Sequence, residues 1–309
     1  MVMGYALDLI KQFAKTPLSV LSGEGLFCLI QGPRSFYEYI QNTKKIWDPG
    51  LKGPSNPRSS ISDNLPYPEF CELAANDPRA FARFKSALPY KSVLEHTGLK
   101  NGLFYSTDLQ LLELDVGQEF LDFHSKLGNP ETYTFRSFGR ISPSLLRYMK
   151  VSKDFDQFFP TWKNMDILEV GIGYGGQLCV LKERGHSAKY VGVDLVGPIK
   201  LSMRYFDSSR LRTDQIVLMD GDKVQESVEA TLFISNYAFC ELEPEIQNRY
   251  FELFVSKCTH GYVTWNTMSE TTLGGMTALE FAERVGGEII LDPLPTYADN
   301  RIIIWAPKL

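Results

Sequence analysis

The chain contains 309 residues, of which 44% are hydrophobic and 22% are charged, and its formal net charge is −5. This composition is typical of a globular protein that forms one large domain or two domains of ordinary size. Nucleic-acid binding needs clustered Lys and Arg, so an acidic chain without a basic run does not favour that partner. A membrane partner is not expected either, because no apolar run approaches the ~20 residues of a membrane-spanning helix.

The cysteines are odd in number and never stand at CxxC spacing, which disfavours a disulfide framework and a zinc site. Buried free thiols in a reducing compartment fit this pattern, so we expect a cytoplasmic protein. Residues 1–15 have apolar positions at helical spacing but lack the features of a signal peptide, which predicts a surface helix. The five cysteines are Cys28, Cys71, Cys179, Cys240 and Cys258.

In chain order, residues 1–150 are predicted to form a mainly helical N-terminal region, which we expect to act as a lid and to bind the acceptor. Its clearest helical patterns are FCELAANDPRAFARFKSAL and LLELDVGQEFLDFHSKL. Between them and the first helices, residues 47–68 are rich in Pro, Gly, Ser and Asn, which predicts a flexible loop.

Residues 151–309 change rhythm, because short apolar runs alternate with amphipathic stretches. This alternation predicts an α/β domain with a mostly parallel sheet and helices on both faces. Only a short polar stretch separates the last two runs, so they must pair as an antiparallel hairpin. The predicted strands are DILEVGIG, KYVGVDL, QIVLMDG, ATLFISNYAF, GYVTW, GEIILD and RIIIWAP.

The segment DILEVGIGYGGQ leads from an apolar strand through a glycine-rich turn into a helix. It satisfies GxGxxG, which is common to many nucleotide sites, and also the sharper ExGxGxG through Glu169, Gly171, Gly173 and Gly175. Glycines allow the backbone to approach a ligand closely. An acidic residue before them suits a cation better than a pyrophosphate. S-adenosyl-L-methionine has a sulfonium and an ammonium group and no phosphate, so this segment predicts its binding site.

Two further strand ends carry carboxylates that would complete a nucleoside site. Asp194, followed by Leu195, ends the next strand about 20 residues past the glycines, where a carboxylate can accept both ribose hydroxyls. Asp220 and Asp222 flank Gly221 after the third strand and could accept from the adenine amino group. The alternative for this last segment is a simple turn.

A polar block, SNYAFCELE, follows the fourth predicted strand. Ser235, Asn236, Tyr237 and Glu241 should lie at the carboxyl edge of the sheet, where ligands of open α/β sheets bind. We assign Ser235 and Asn236 to the cofactor, Tyr237 to the substrate and Glu241 to catalysis. The alternative is that the acids of this block only cap the following helix.

Taken together, EVGIGYGGQ, VGVDL, the DGD turn and SNYAFCELE resemble the sugar O-methyltransferase family, a branch of the class I methyltransferases. The resemblance covers about residues 135–309, and Cys240 stands where the family block leads us to expect a serine. It implies a Rossmann-like class I methyltransferase sheet, S-adenosyl-L-methionine as cofactor, and a hydroxyl of a sugar or glycan as acceptor.

Methyl transfer to oxygen needs a base or a metal to take the proton of the acceptor hydroxyl. Glu241 is the best-placed base, with His124 of the LDFHSKL helix and Asp222 as further candidates. A divalent metal would need the loops of Asp220, Asp222 and Glu241 to converge and is not favoured, so no metal ligand is assigned.

Arg136 and Arg140, in YTFRSFGR, are candidates to clamp the methionine carboxylate. The alternatives for these two arginines are contacts with the acceptor or plain solvation. Among these possibilities, we assign both arginines to the substrate-binding residues.

Competing functions remain at this point. They are methylation of another small-molecule hydroxyl, an NAD-dependent oxidoreductase, methylation of a nucleobase, and a binding protein without activity. Glu169 and the terminal hairpin oppose the oxidoreductase, and the absence of prolines in SNYAF opposes nucleobase methylation. The expected partner is a small-molecule or glycan acceptor, and the sequence leaves a homo-oligomer open.

Overall fold

The computed structural model describes residues 23–52, 66–110, 115–296 and 299–307. The predicted helix over residues 1–15 lies outside this part of the chain, and so does most of the predicted flexible stretch. The chain divides into two compact units, one made of residues 1–49 and 82–150 and the other of residues 50–81 and 151–309. Residues 50–81, which the sequence analysis placed with the N-terminal region, thus belong to the second unit.

Up to residue 158, the described residues form mainly helices, together with a short antiparallel hairpin that was not predicted. The helices α3 and α4 belong to the second unit, and α8 crosses the boundary between the units. In chain order the elements are α1 (Gly23–Ile30), α2 (Pro33–Thr43), α3 (Tyr67–Asn76), α4 (Pro78–Phe81), a 3-10 helix (Phe84–Ser86), α5 (Leu88–Lys91), α6 (Leu99–Gln110), α7 (Gln118–His124), β1 (Tyr133–Phe135), β2 (Gly139–Ile141) and α8 (Pro143–Phe158).

Buried polar side chains of α2 join this helix to β1 in the first unit. The Asn42 amide donates to the Thr132 carbonyl at 2.9 Å and accepts from the Thr132 N–H at 3.2 Å. Glu38 accepts from the Thr134 N–H at 3.0 Å and from its hydroxyl at 2.6 Å. Because these groups are buried, their bonds offset the cost of removing them from water.

The second unit contains a seven-stranded sheet in the order β5-β4-β3-β6-β7-β9-β8. The five strands from β5 to β7 are parallel, and β9 is antiparallel to both of its neighbours. Each of these seven strands coincides with a predicted apolar run, which confirms the predicted mostly parallel sheet and its antiparallel terminal hairpin. The strands are β3 (Ile167–Val170), β4 (Tyr190–Asp194), β5 (Ile216–Asp220), β6 (Leu232–Asn236), β7 (His260–Trp265), β8 (Glu288–Leu291) and β9 (Arg301–Trp305).

Helices connect the strands of this sheet. The helix that follows β3 begins at Gly176, after the glycine-rich turn, and the helix that follows β4 begins at Val196, just after Asp194, so both N-termini lie at the carboxyl edge of the sheet. None of the described helices has the length and apolarity of a membrane-spanning segment. These elements are a 3-10 helix (Trp162–Asn164), α9 (Gly176–Glu183), α10 (Val196–Ser209), a 3-10 helix (Phe239–Glu241), α11 (Pro244–Leu253), a 3-10 helix (Val255–Lys257), α12 (Met268–Thr272) and α13 (Ala278–Val285).

The alternation of side chains along β3 separates two environments. Leu168 and Val170 belong to a large apolar cluster that includes Phe239, Phe281 and Trp305. Residues of one strand point alternately to opposite faces, so the intervening Glu169 faces the other side of the sheet. This alternation decides the surroundings of the only acidic residue of β3.

Helix α3 packs closely against α10, which explains why residues 66–81 belong to the second unit. A Cβ atom added at Gly197 would lie 2.1 Å from the carbonyl oxygen of Pro68. The Arg204 guanidinium donates to the carbonyls of Ala74 and Ala75 at 3.0 and 2.8 Å, where α3 ends. A cation that binds the last carbonyls of a helix stabilises its C-terminus.

This close approach yields a prediction for Gly197→Ala. Alanine favours a helix over glycine by about 1 kcal/mol, yet its Cβ would overlap the Pro68 carbonyl. We expect a net loss of about 1–3 kcal/mol in the free energy of unfolding, measured by urea denaturation. Lys200→Ala on the same helix, which removes an exposed ion pair with Glu72, should change it by less than about 0.5 kcal/mol. A G197A protein as stable as the wild type would contradict the packing.

Candidate active site

Polar residues of four parallel strands form a row at the carboxyl edge of the sheet. The strand register pairs Asp194 with Asp220 and Asn236 with Thr264. Gly171 stands between these two pairs, because its N–H donates to the β4 carbonyl of Val193 at 2.9 Å. The strand order reverses next to β3, and such a switch point is where open α/β sheets bind ligands.

The glycine turn after β3 is built from left-handed backbone. The φ angles of Gly171, Gly173 and Gly175 are 84°, 57° and 84°, a region that residues with a Cβ adopt at a cost. A Cβ at Gly171 would lie 2.1 Å from the Cβ of Ala238. The turn therefore packs directly against the block that follows β6.

Asp194 is fixed to this turn. One of its carboxylate oxygens accepts the Gly173 N–H at 2.8 Å, and the other accepts the Leu195 N–H at 2.8 Å. The side chain is half-buried. The carboxylate thus stands at the sheet edge with a defined orientation, beside the backbone of the turn.

Asp220 has local partners. It pairs with Lys223 at 2.9 Å and accepts the Asp222 N–H at 3.2 Å, while Asp222 itself is exposed. The Gly221 N–H donates to the Asp194 carbonyl at 2.8 Å, and a Cβ at Gly221 would lie 2.2 Å from the Tyr250 hydroxyl. These contacts agree with the turn alternative for this segment, and its contact with an adenine stays a prediction.

Glu169 lies beneath the turn instead of facing a ligand. Its side chain is 2% exposed, and it accepts the Tyr190 hydroxyl at 2.6 Å. The pKa of the Glu169 carboxyl is raised to about 8, mainly by burial, while the Tyr190 bond lowers it and the charge of Asp194 adds a smaller upward shift. A neutral, buried carboxyl does not repel a pyrophosphate, so the electrostatic argument against a dinucleotide loses its basis.

The Ser235 side chain joins two segments of the backbone. Its buried hydroxyl donates to the Val170 carbonyl at 2.9 Å and accepts the Phe239 N–H at 2.9 Å. These bonds tie the ends of β3 and β6 to the 3-10 helix that follows. A cofactor contact through this hydroxyl would compete with them.

Asn236 is better suited than Ser235 to meet a ligand. Its Oδ1 accepts the Thr264 hydroxyl at 3.1 Å, whereas its buried Nδ2 has no hydrogen-bond partner among the described residues. A buried donor without a partner is costly, and a bound molecule can supply the missing acceptor. This amide is level with Gly171 in the row of polar residues.

Tyr237 has a positive φ of 72°, which is uncommon for a residue with a bulky side chain. Its N–H donates to the Thr264 carbonyl at 3.0 Å, its hydroxyl donates to Thr296 at 3.1 Å, and the Asn300 amide donates to that hydroxyl at 3.0 Å. The loop between β8 and β9 therefore reaches the block after β6.

Glu241 ends the 3-10 helix after β6 and is held by Asn266, whose amide donates to its carboxylate at 2.7 Å. Burial raises the pKa of the Glu241 carboxyl above its ordinary value, and the bond from Asn266 opposes this. Asn266 was not among the predicted site residues. Its position directly after the predicted strand GYVTW was the available signal, since that strand ends at the same edge.

His124 does not suit the role of base that the sequence analysis gave it. It is 6% exposed, and its ring lies 4.1 Å from that of Phe120, centroid to centroid. Burial, and to a smaller extent the charge of Lys85, lowers the pKa of His124 to about 3. Such an imidazole is a weak base at neutral pH.

Arg136 and Arg140 are exposed residues of the β1–β2 hairpin in the first unit. Arg140 donates to the Thr132 hydroxyl at 3.0 Å. Their binding of the methionine carboxylate or of the acceptor stays a prediction. In the part of the chain that the structure describes, no group of three or more His, Cys, Asp or Glu side chains is arranged to hold a metal ion.

No family model and no curated protein matches the chain. Solved structures of methyltransferases resemble about half of it. The pyocyanin biosynthetic protein PhzM is 14% identical over 54% of this chain and 57% of its own, with a TM-score of 0.40. Magnesium protoporphyrin IX methyltransferase from Synechocystis PCC 6803 with bound S-adenosylmethionine is 11% identical over 53% and 79%, with a TM-score of 0.42. Mitomycin 7-O-methyltransferase is 13% identical over 54% and 55%, with a TM-score of 0.41. This chain thus spans less than two thirds of the first and third of these proteins.

The buried carboxyl of Glu169 yields a pH prediction. A carboxyl whose pKa rises from 4.5 to about 8 on folding binds its proton more tightly in the folded state. Its contribution to stability is therefore present at low pH and is lost as pH rises through that window, by up to about 1.4 kcal/mol per pH unit.

Glu169→Gln keeps an acceptor for Tyr190 but cannot ionise. We expect the free energy of unfolding of E169Q, relative to the wild type, to increase between about pH 5 and 8, measured by urea denaturation. Glu226→Gln, in an exposed loop, is the matched control and should follow the wild type. Parallel curves for E169Q and the wild type would show that Glu169 ionises normally.

Proposed function

We propose that this protein is an S-adenosyl-L-methionine-dependent O-methyltransferase that methylates a hydroxyl of a sugar. The observation that carries the proposal is the edge between β4 and β7, where the half-buried Asp194 carboxylate is bonded to the Gly173 N–H of a left-handed glycine turn. A carboxylate in this place suits the two ribose hydroxyls of a nucleoside.

The sheet favours this cofactor over a dinucleotide. The dinucleotide-binding sheet has six parallel strands in the order 3-2-1-4-5-6, whereas here an antiparallel strand, β9, lies between β7 and β8. The Nδ2 of Asn236 has no partner among the described residues and is level with the turn. It can donate to an oxygen of the amino-acid part of S-adenosyl-L-methionine. These features support the S-adenosyl-L-methionine site that the resemblance implies.

The cofactor would supply an electrophilic methyl group, and the protein must supply a base. Glu241 suits this task because it follows β6 next to Asn266 and because burial raises its pKa above the ordinary value, which makes its carboxylate a stronger base. Asn266 restrains that carboxylate at 2.7 Å. Positioning of the hydroxyl beside Glu241 would contribute much of the remaining rate increase.

Asp194→Ala tests the cofactor site. We expect the dissociation constant for S-adenosylhomocysteine, measured by calorimetry, to rise about ten- to hundredfold, since hydrogen bonds to a charged group contribute about 1.5–3 kcal/mol. Asp214→Ala, which removes an exposed carboxylate paired with Arg212, should bind like the wild type. The proposal fails if the wild-type protein binds NAD and not S-adenosylhomocysteine.

Glu241→Gln tests the base. Turnover is measured as S-adenosylhomocysteine release with a panel of methyl glycosides of common hexoses and deoxyhexoses. We expect turnover to fall about 10²–10⁴-fold, with little change in affinity for S-adenosylhomocysteine and in the melting temperature, because glutamine still accepts the Asn266 bond.

Glu243→Gln is the matched control, because this residue lies in the same block and precedes α11. It should retain nearly normal turnover. Lower stability of E241Q with normal turnover would instead assign Glu241 a structural role. Weaker cofactor binding would place it next to the ammonium group.

A further inference from the structure

Three asparagines lie at the ends of three adjacent strands. Asn236 ends β6, Asn266 follows β7, and Asn300 precedes β9. The antiparallel register pairs Trp265 with Arg301, and its continuation by one residue brings Asn266 level with Asn300. Asn300 therefore lies at the same edge of the sheet as the glycine turn, directly before the third strand from β3.

Asn300 is buried with an incomplete set of hydrogen bonds. It is 1% exposed, and its Nδ2 donates to the Tyr237 hydroxyl at 3.0 Å. Its Oδ1 has no hydrogen-bond partner among the described residues. Rotation of the amide by 180° would exchange the two atoms and still leave one of them without a partner. A buried polar atom of this kind needs an explanation, and a ligand hydroxyl is one.

The surroundings of Asn300 are rigid. Tyr237 is held at a φ of 72° by its bond to the Thr264 carbonyl at 3.0 Å and by the bond from its hydroxyl to Thr296 at 3.1 Å. Strained backbone of this type persists where surrounding contacts determine it, often at binding sites. Asn300 is thus attached to a residue whose position is fixed by two other elements.

We propose that Asn300 is a specificity-determining residue of an acceptor subsite for a polyhydroxylated ring. Its amide oxygen accepts a hydrogen bond from a ring hydroxyl that is next to the methylated one. The proposal rests on the proposed function. The carboxyl edge of the sheet then has two halves. The cofactor half extends from Asp194 to Asn236, and the acceptor half extends from Asn266 to Asn300. Glu241, held by Asn266, stands where the two halves meet.

A neutral amide suits this class of ligand. A sugar hydroxyl both donates and accepts, so it can satisfy the unpartnered atom of Asn300 in either orientation of the amide. A site built to bond a hydroxyl also rejects an analogue that lacks it, because the buried amide atom would again be without a partner.

The test uses Asn300→Leu, which has a similar volume and no polar atom, and Asn300→Asp, which keeps an oxygen at the same place. Asn248→Leu, an exposed asparagine of α11, is the control. Initial rates are measured with S-adenosyl-L-methionine and the panel of methyl glycosides, together with the monodeoxy analogues of the best acceptor. Calorimetry with S-adenosylhomocysteine and melting temperatures establish that the cofactor half and the fold are intact.

We expect N300L to lower kcat/KM for the best glycoside at least about tenfold, with unchanged affinity for S-adenosylhomocysteine, and we expect N300D to retain more activity than N300L. One monodeoxy analogue should cost the wild type a similar factor and cost N300L nothing further. If N300L does not fold, N300D and the analogue series on the wild type decide the question. The expected result is then that the wild type loses activity with a single monodeoxy analogue.

Equal kcat/KM for N300L and the wild type, or equal losses in both proteins for every analogue, would overturn the inference and leave the proposed function in place. A wild-type protein that binds S-adenosylhomocysteine but methylates no glycoside would overturn the inference and the sugar acceptor together. Failure to bind S-adenosylhomocysteine would overturn the proposed function itself.

Discussion

The hydrogen bond from the Gly173 N–H to the Asp194 carboxylate is the contact on which the geometry of the sheet edge depends. The turn it restrains contains three left-handed glycines, a conformation that costs backbone entropy to fix. Once the turn is fixed, Gly171 leaves room for Ala238, so the chain after β6 approaches in one position. The Ser235 hydroxyl then joins that chain to β3.

Much of the second unit could be predicted from the sequence, because its signals are local. Each strand is a short apolar run bounded by polar or turn residues, and the stretch between the last two runs is too short for a parallel crossover. The glycine turn and Asp194 were likewise found from their spacing, since both follow from the order strand, turn, helix and strand. These predictions needed no knowledge of distant contacts.

What the sequence did not disclose depends on contacts between distant segments. Asn300 lies at the edge of the sheet because β9 pairs with β7. Asn266 is linked to the block after β6 by its bond to Glu241. Glu169 was predicted to bind a cation. The alternation of side chains along β3 and the neighbouring Tyr190 bury it instead. His124 and the three-residue strands β1 and β2 gave signals too short or too ambiguous to separate from ordinary helix and loop.

The position of β9 has a consequence for the protection of the sheet against mispairing. It follows every other described strand in the chain, yet it lies between β7 and β8. Any assembly that proceeds from the earlier strands must leave the outer edge of β7 open, with its buried apolar residues and unpaired backbone groups, until β9 is in place. Open edges of this kind are templates for association with other chains. Residues 301–305 therefore cover the edge of β7 as well as bringing Asn300 to the carboxyl edge of the sheet.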